Sequence, residues 1–203
     1  LMTHIEEDRG QYDKVQPIFW ATGACLLTRT RTYKELGGLD AKFFAHQEEI
    51  DLCWRMLNHA QCTDNVPILV AIPQAVVYHL GGGTLSQTNP RKTYYNFRNN
   101  MLMIYKNLNT SRLIPLAIIR LFLDYLAAFV FLISFKPSLA WAVVKARIDF
   151  YRYKGKVKVQ RKENLIKTIR YTMPDVVYNG SILLAHYLLR KKKFSQLSSL
   201  NKA

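Results

Sequence analysis

Cysteine is scarce, at three in 203 residues, and no two of Cys25, Cys53 and Cys62 form a CxxC pair. That excludes a disulfide framework and a zinc ribbon and suits reduced, cytosolic thiols. Charged residues are also few, 21% against 49% hydrophobic, so the chain is no disordered tail. Neither internal repeats nor low-complexity tracts occur. The opening Leu1-Met2-Thr3-His4 has no basic n-region and no apolar h-region, so no signal peptide or N-terminal anchor is expected. Acids nearly vanish from the last third: residues 1–135 hold 13 Lys/Arg and 11 Asp/Glu, residues 136–203 hold 16 and 3. The formal charge of +15 therefore sits just after the most apolar segment, as at a cytoplasmic membrane face, and nucleic acid is not the expected partner.

What is present leaves room for one domain, or a small domain with an appendage. Ile18 to Thr28 is an apolar run with a small Gly23-Ala24 step, read as a buried strand whose small residues admit close approach. Thr32-Tyr33-Lys34-Glu35 has capping-box spacing and Gly37-Gly38 supplies a stop, which predicts a short helix. From Glu48 to about Ala60 the spacing of Ile50, Cys53, Trp54 and Leu57 is helical, with Glu48, Asp51 and Arg55 on the more polar side. Val66–Ile72 and Ala75–Tyr78 read as strands, so that His79 ends a strand and opens the glycine loop Gly81-Gly82-Gly83-Thr84. Asn89-Pro90 starts a helix that runs to about Leu108. Leu113–Phe135 is long enough to span a bilayer, while Arg120, Asp124 and Pro115 within it suit an interfacial helix, and both placements stay open. Residues 136–170 alternate cations with aromatic and aliphatic residues, a basic amphipathic pattern for anionic headgroups.

Glu48, Glu49 and Asp51 form the densest acidic cluster. A helix N-terminus favours their ionised forms, so one of them can accept a proton at neutral pH, although acids favour the first turn of any helix. His79 offers an imidazole for a metal or a phosphate, and Arg91, Lys92 and Arg98 offer cations for a diphosphate. A lone structural histidine and a solvated basic face are the commoner uses of these patterns.

Together, GACLLTR (Gly23–Arg29), LGGLDAKFFAHQEEIDLCWR (Leu36–Arg55), PQAVVYHLGGGT (Pro73–Thr84) and NPRKTYYNFRNN (Asn89–Asn100) resemble the C-terminal half of a family 2 glycosyltransferase, most closely the bacterial rhamnosyltransferase-like members. The resemblance implies an α/β fold: the C-terminal portion of a GT-A domain over residues 1–110, followed by membrane-associated helices over 111–203. It implies inverting transfer of a sugar from a nucleotide-sugar to a lipid-linked or saccharide acceptor, in surface polysaccharide synthesis at the cytoplasmic face of the inner membrane. Glu49 matches the second acid of the family's Glu-Asp pair, the base that deprotonates the acceptor, with Glu48 and Asp51 as further candidates. Gly23, Ala24, Asp40, Arg91 and Arg98 are the matching substrate-binding positions, and His79 matches the histidine that reaches the metal or the donor diphosphate. A divalent metal, Mn²⁺ or Mg²⁺, is implied, yet its Asp-x-Asp motif does not occur ahead of Ile18. The chain is therefore expected to hold the acceptor half and to be inactive alone, and its leucine start suits a fragment. The competing expectation is a noncatalytic membrane-docking module on the anionic bilayer surface.

Overall fold

A computed structural model describes residues 6–59, 69–79, 89–168, 176–178 and 180–197. The Gly81–Thr84 loop, Cys62 and the start of the expected 66–72 strand lie outside the described residues. The chain divides into two compact units, one of residues 20–61 and 77–171, the other of residues 1–19, 62–76 and 172–203.

The larger unit is helical: α1 (Thr30–Glu35), α2 (Glu48–His59), α3 (Pro90–Asn107), α4 (Thr110–Ile133), α5 (Pro137–Lys154) and α6 (Lys158–Lys167). α1 has its N-cap at Arg29, three residues before the expected cap Thr32, and no side chain caps it. It stops as expected, because Gly37 and Gly38 take φ of +79° and +65°. α3 begins where Asn89 accepts a hydrogen bond from the Arg91 N–H, with Pro90 at the first helical position. Its end is closed by Arg161 of α6, whose guanidinium donates to the carbonyls of Tyr105 and Leu108 (2.7 Å to Leu108). The core is small, with Phe43, Leu52, Cys53 and Leu102 fully buried. α3 lies along α5, and α5 pairs with α4.

The smaller unit holds β1 (Gln16–Pro17) and β2 (Val70–Ala71), antiparallel with Gln16 opposite Ala71, and α7 (Ile182–Tyr187). Glu6 accepts hydrogen bonds from the Ser195 hydroxyl (2.6 Å) and the Tyr12 hydroxyl (2.9 Å), tying residues distant in sequence.

Two expected strands are absent. Residues 18–29 are irregular, with Leu27 98% exposed, and Val76, Val77 and Tyr78 stand in solvent. A strand needs a neighbour for its N–H and C=O groups, and the described residues supply only the two-residue ladder of β1 and β2.

Candidate functional site

The loop before α2 is built against its own backbone preferences. Phe44, His46 and Gln47 have φ of +66°, +69° and +72°, three left-handed non-glycine residues within four positions. Each such residue costs on the order of 1–3 kcal/mol unless its surroundings hold it. They are held by α3. The Asn99 amide, fully buried, donates to the carbonyls of Phe43 (2.9 Å), Ala45 (2.8 Å) and His46 (2.8 Å). Asn100 donates to the Gln47 side chain (3.1 Å), which in turn donates to the Asn96 carbonyl (3.3 Å).

Beneath the loop lies a neutral network of four charges. The buried Lys106 ammonium bridges Asp40 (2.8 Å) and Asp51 (2.9 Å), and Arg55 pairs with Asp51 (2.9 Å). Asn107 donates to the second Asp51 oxygen (2.8 Å), while Arg55 also donates to the carbonyls of Leu36 and Gly38 (2.7 Å to Gly38). Burial raises the Asp40 carboxyl, but the hydrogen bond and charge of Lys106 outweigh it and hold the group below the usual carboxylate range.

This arrangement separates the three acids. Asp51, expected on the polar side of α2, is fully buried with both oxygens engaged, so it anchors α2 and is out of reach of a substrate. Arg55, expected beside it on that polar side, is 4% exposed for the same reason. Glu48 and Glu49 remain at the helix start, part-exposed. Burial raises the Glu49 carboxyl above its ordinary value, the Glu48 charge adds to the rise, and the backbone N–H groups of the helix start only partly offset it. The Glu48 Oε2 and the His46 Nε2 are both buried atoms without a hydrogen-bond partner. Orphaned polar atoms within three residues of Glu49 are what a polar ligand would satisfy. Phe44, 68% exposed, stacks on Tyr95 at 5.2 Å between ring centroids and gives the loop an aromatic face.

The other expected site residues lie differently. Arg98 is buried under Tyr94, Tyr95 and Tyr153, with ring centroids 5.1–5.3 Å away, and donates to the carbonyls of Lys42 (2.9 Å) and Phe43 (3.0 Å). Its guanidinium is spent on the loop and is not free for a diphosphate. Asp40 likewise belongs to the buried network. Arg91 is exposed at the start of α3. Gly23 and Ala24 are exposed in a turn, and a Cβ on Gly23 would meet open space. His79 stands in solvent, and among the described residues no three His, Cys, Asp or Glu side chains converge. The described residues therefore do not fit a divalent metal. Asn99 was not singled out by sequence; its one signal is the polar Arg98-Asn99-Asn100 triplet in an otherwise apolar stretch of α3.

Over 37 residues the chain is 38% identical to an N-acetylglucosaminyl-diphospho-decaprenol L-rhamnosyltransferase of Mycobacterium tuberculosis (strain CDC 1551 / Oshkosh), and equally to its counterpart in strain ATCC 25618 / H37Rv. The matched stretch is 18% of this chain and spans only 12% of those relatives. The similarity is thus a local one, to a glycosyltransferase. No family model matches the chain, and no solved structure matches it significantly.

Proposed function

We propose that this chain carries the acceptor side of an inverting family 2 glycosyltransferase of GT-A type, and that Glu49 is its base. The observation that carries the reading is the acid pair at the start of α2, where a half-buried carboxylate with raised proton affinity sits beside two unpartnered polar atoms in a strained loop. A base that works near neutral pH needs such a raised carboxylate. Glu49 takes the proton of an acceptor hydroxyl as that oxygen attacks the anomeric carbon of a nucleotide-sugar. The bond to the nucleoside diphosphate breaks on the opposite face, so configuration inverts. Glu48 Oε2 and His46 Nε2 hold the acceptor's polar groups, and the exposed Phe44 ring packs against a sugar face. Asp51 and Asn99 position the acids without touching substrate.

The short likeness to enzymes whose name specifies a diphospho-decaprenol acceptor supports a lipid-linked acceptor and a nucleotide-sugar donor. A lipid-linked acceptor places the work at a membrane, which suits the basic, apolar C-terminal third at the cytoplasmic face of the inner membrane.

The test is Glu49→Gln in the enzyme carrying this chain, assayed with nucleotide-sugars and a polyprenyl-diphosphate-linked acceptor. Transfer should fall by at least about a hundredfold with donor binding unchanged. The base must be ionised, so the wild-type rate should drop as pH falls through the raised carboxyl. Removing the neighbouring charge with Glu48→Gln should move that limb to lower pH. Activity of Glu49→Gln within a few-fold of wild type would remove Glu49 from the role.

A further inference from the structure

α4 is the one helix among the described residues long and apolar enough to cross a membrane. Its surroundings define how it meets one. Twenty-four residues at about 1.5 Å each give roughly 36 Å, more than the ~30 Å hydrocarbon layer. Only Asp124 and Ala128 are buried. The exposed side chains Ile114, Ile118, Phe122, Tyr125, Phe129 and Ile133 follow one stripe from end to end, at i, i+4, i+8, i+11, i+15 and i+19. With their flanking neighbours they cover half the helix circumference, and no charge falls within that half. The charges Arg120 and Asp124 point the other way: Asp124 pairs with Arg120 (3.0 Å) and with Arg147 of α5 (2.6 Å).

That ion pair also fixes the hairpin. Asp124 lies nine residues before the end of α4 and Arg147 ten after the start of α5, so the helices run antiparallel. Beside Arg147 on α5 stand Lys145 and Asp149, and Asp149 accepts a hydrogen bond from Tyr94 of α3 (2.8 Å). Were α4 to cross a bilayer, these groups and polar α3 would enter hydrocarbon at mid-depth, with the Lys145 side chain 52% exposed and that of Arg152 73% exposed. Entry by the hairpin tip alone would leave Ile114, Ile118 and Phe122 outside and put Lys136 deepest. Only one orientation covers the whole stripe and keeps every charge in water or headgroups.

We infer that α4 lies in the plane of an anionic bilayer, immersed along its exposed half with Arg112 and Lys136 at its two ends, and does not cross. The occupant is lipid: residues 136–171, in the same unit as α4, carry 11 Lys/Arg against 2 Asp/Glu for anionic headgroups. The inference rests on the membrane part of the proposed function and is independent of the transfer chemistry.

The test uses the whole chain with Cys25→Ser and Cys62→Ser, carrying one nitroxide-labelled cysteine in turn at positions 114, 118, 122, 129 and 133. Each sample is measured on vesicles of phosphatidylglycerol and phosphatidylcholine, and on phosphatidylcholine alone. The expected result is salt-sensitive binding to the anionic vesicles and one common depth for all five labels by oxygen and nickel collision rates. Depth that peaks at 122 and is shallow at both ends would mean a crossing helix. Depth that rises steadily towards 133 would mean tip-first entry. Either profile overturns the in-plane inference and leaves membrane docking standing. Absence of binding overturns both, and a dimer by sedimentation in that case would assign the face to a second copy. As a second handle, Phe122→Ser with Phe129→Ser, both at exposed positions, should weaken vesicle partitioning by about tenfold or more.

Discussion

Lys106→Met removes the one cation that Asp40 and Asp51 share. The methionine fills most of the lysine stem, so packing around Phe43, whose ring lies 5.0 Å from the ammonium, is nearly kept. The charge balance of the buried groups is not kept: two cations and two anions become one cation and two anions, with only the part-exposed Lys42 left beside Asp40. Asp51 retains Arg55 and Asn107, but Asp40 retains only the Lys42 backbone N–H (3.0 Å) and a distant Lys42 ammonium (3.8 Å). Breaking a buried pair from one side costs about 3–5 kcal/mol. At a urea slope of ~1–3 kcal/mol/M that lowers the unfolding midpoint by one molar or more, read by far-UV circular dichroism at fixed detergent. Asp40→Asn added to Lys106→Met restores neutrality and should recover at least about 1 kcal/mol. The pH dependence has a definite sign. Asp40 is depressed in the folded protein, so its contribution is full above its unfolded pKa and is lost as pH falls through the folded one. The gap between wild type and Lys106→Met should therefore be widest near neutrality and narrow in acid below the ordinary carboxylate range. A midpoint unchanged at pH 7, or a gap that widens in acid, would refute the network as the anchor of α2.

Two further changes probe the loop and its floor. Asn99→Leu leaves the Ala45 and His46 carbonyls without their side-chain donor, while Phe43 keeps Arg98; it should cost about 1–3 kcal/mol and speed amide hydrogen exchange over residues 43–49 before the rest of α2 responds. Gly38→Ala puts a Cβ 2.8 Å from the Tyr33 ring at a φ of +65°, so a loss of at least about 2 kcal/mol in thermal or urea unfolding is expected; Tyr33→Ala in the same background should recover the part due to the clash.

The helices were legible because their signals are local. Asn89-Pro90 caps α3 within two residues, the acid cluster marks the start of α2, and the Gly37-Gly38 pair ends α1. The length of α4 can be counted directly. What stayed hidden depends on partners far along the chain. Asp51 reads as one of three surface acids until Lys106, 55 positions later, arrives beside it. Arg98 reads as a phosphate cation until the carbonyls of residues 42 and 43 claim it. The run from Ile18 to Thr28 has the composition of a strand, but composition cannot supply the neighbouring strand that a ladder requires. Of the candidate site, the place of Glu48 and Glu49 at a helix start was readable and the left-handed loop before them was not, since Phe44 and Gln47 have no preference for positive φ and the one enriched type, His46, stands between them.

The two buried charge clusters of the larger unit use the same chemistry to different ends. Around Asp51 the charges cancel, and every oxygen and ammonium is met by a partner, so the cluster works as a rigid joint between α2 and α3. Around Asp124 one carboxylate faces two guanidinium groups, and the Nε atoms of both Arg120 and Arg147 are buried without a partner. A net positive, incompletely satisfied cluster is costly within a protein core. Beside an anionic headgroup layer the surplus charge is compensated from outside. The joint under the acids is therefore complete within the chain, whereas the joint between α4 and α5 would gain its missing compensation on the anionic bilayer proposed for α4.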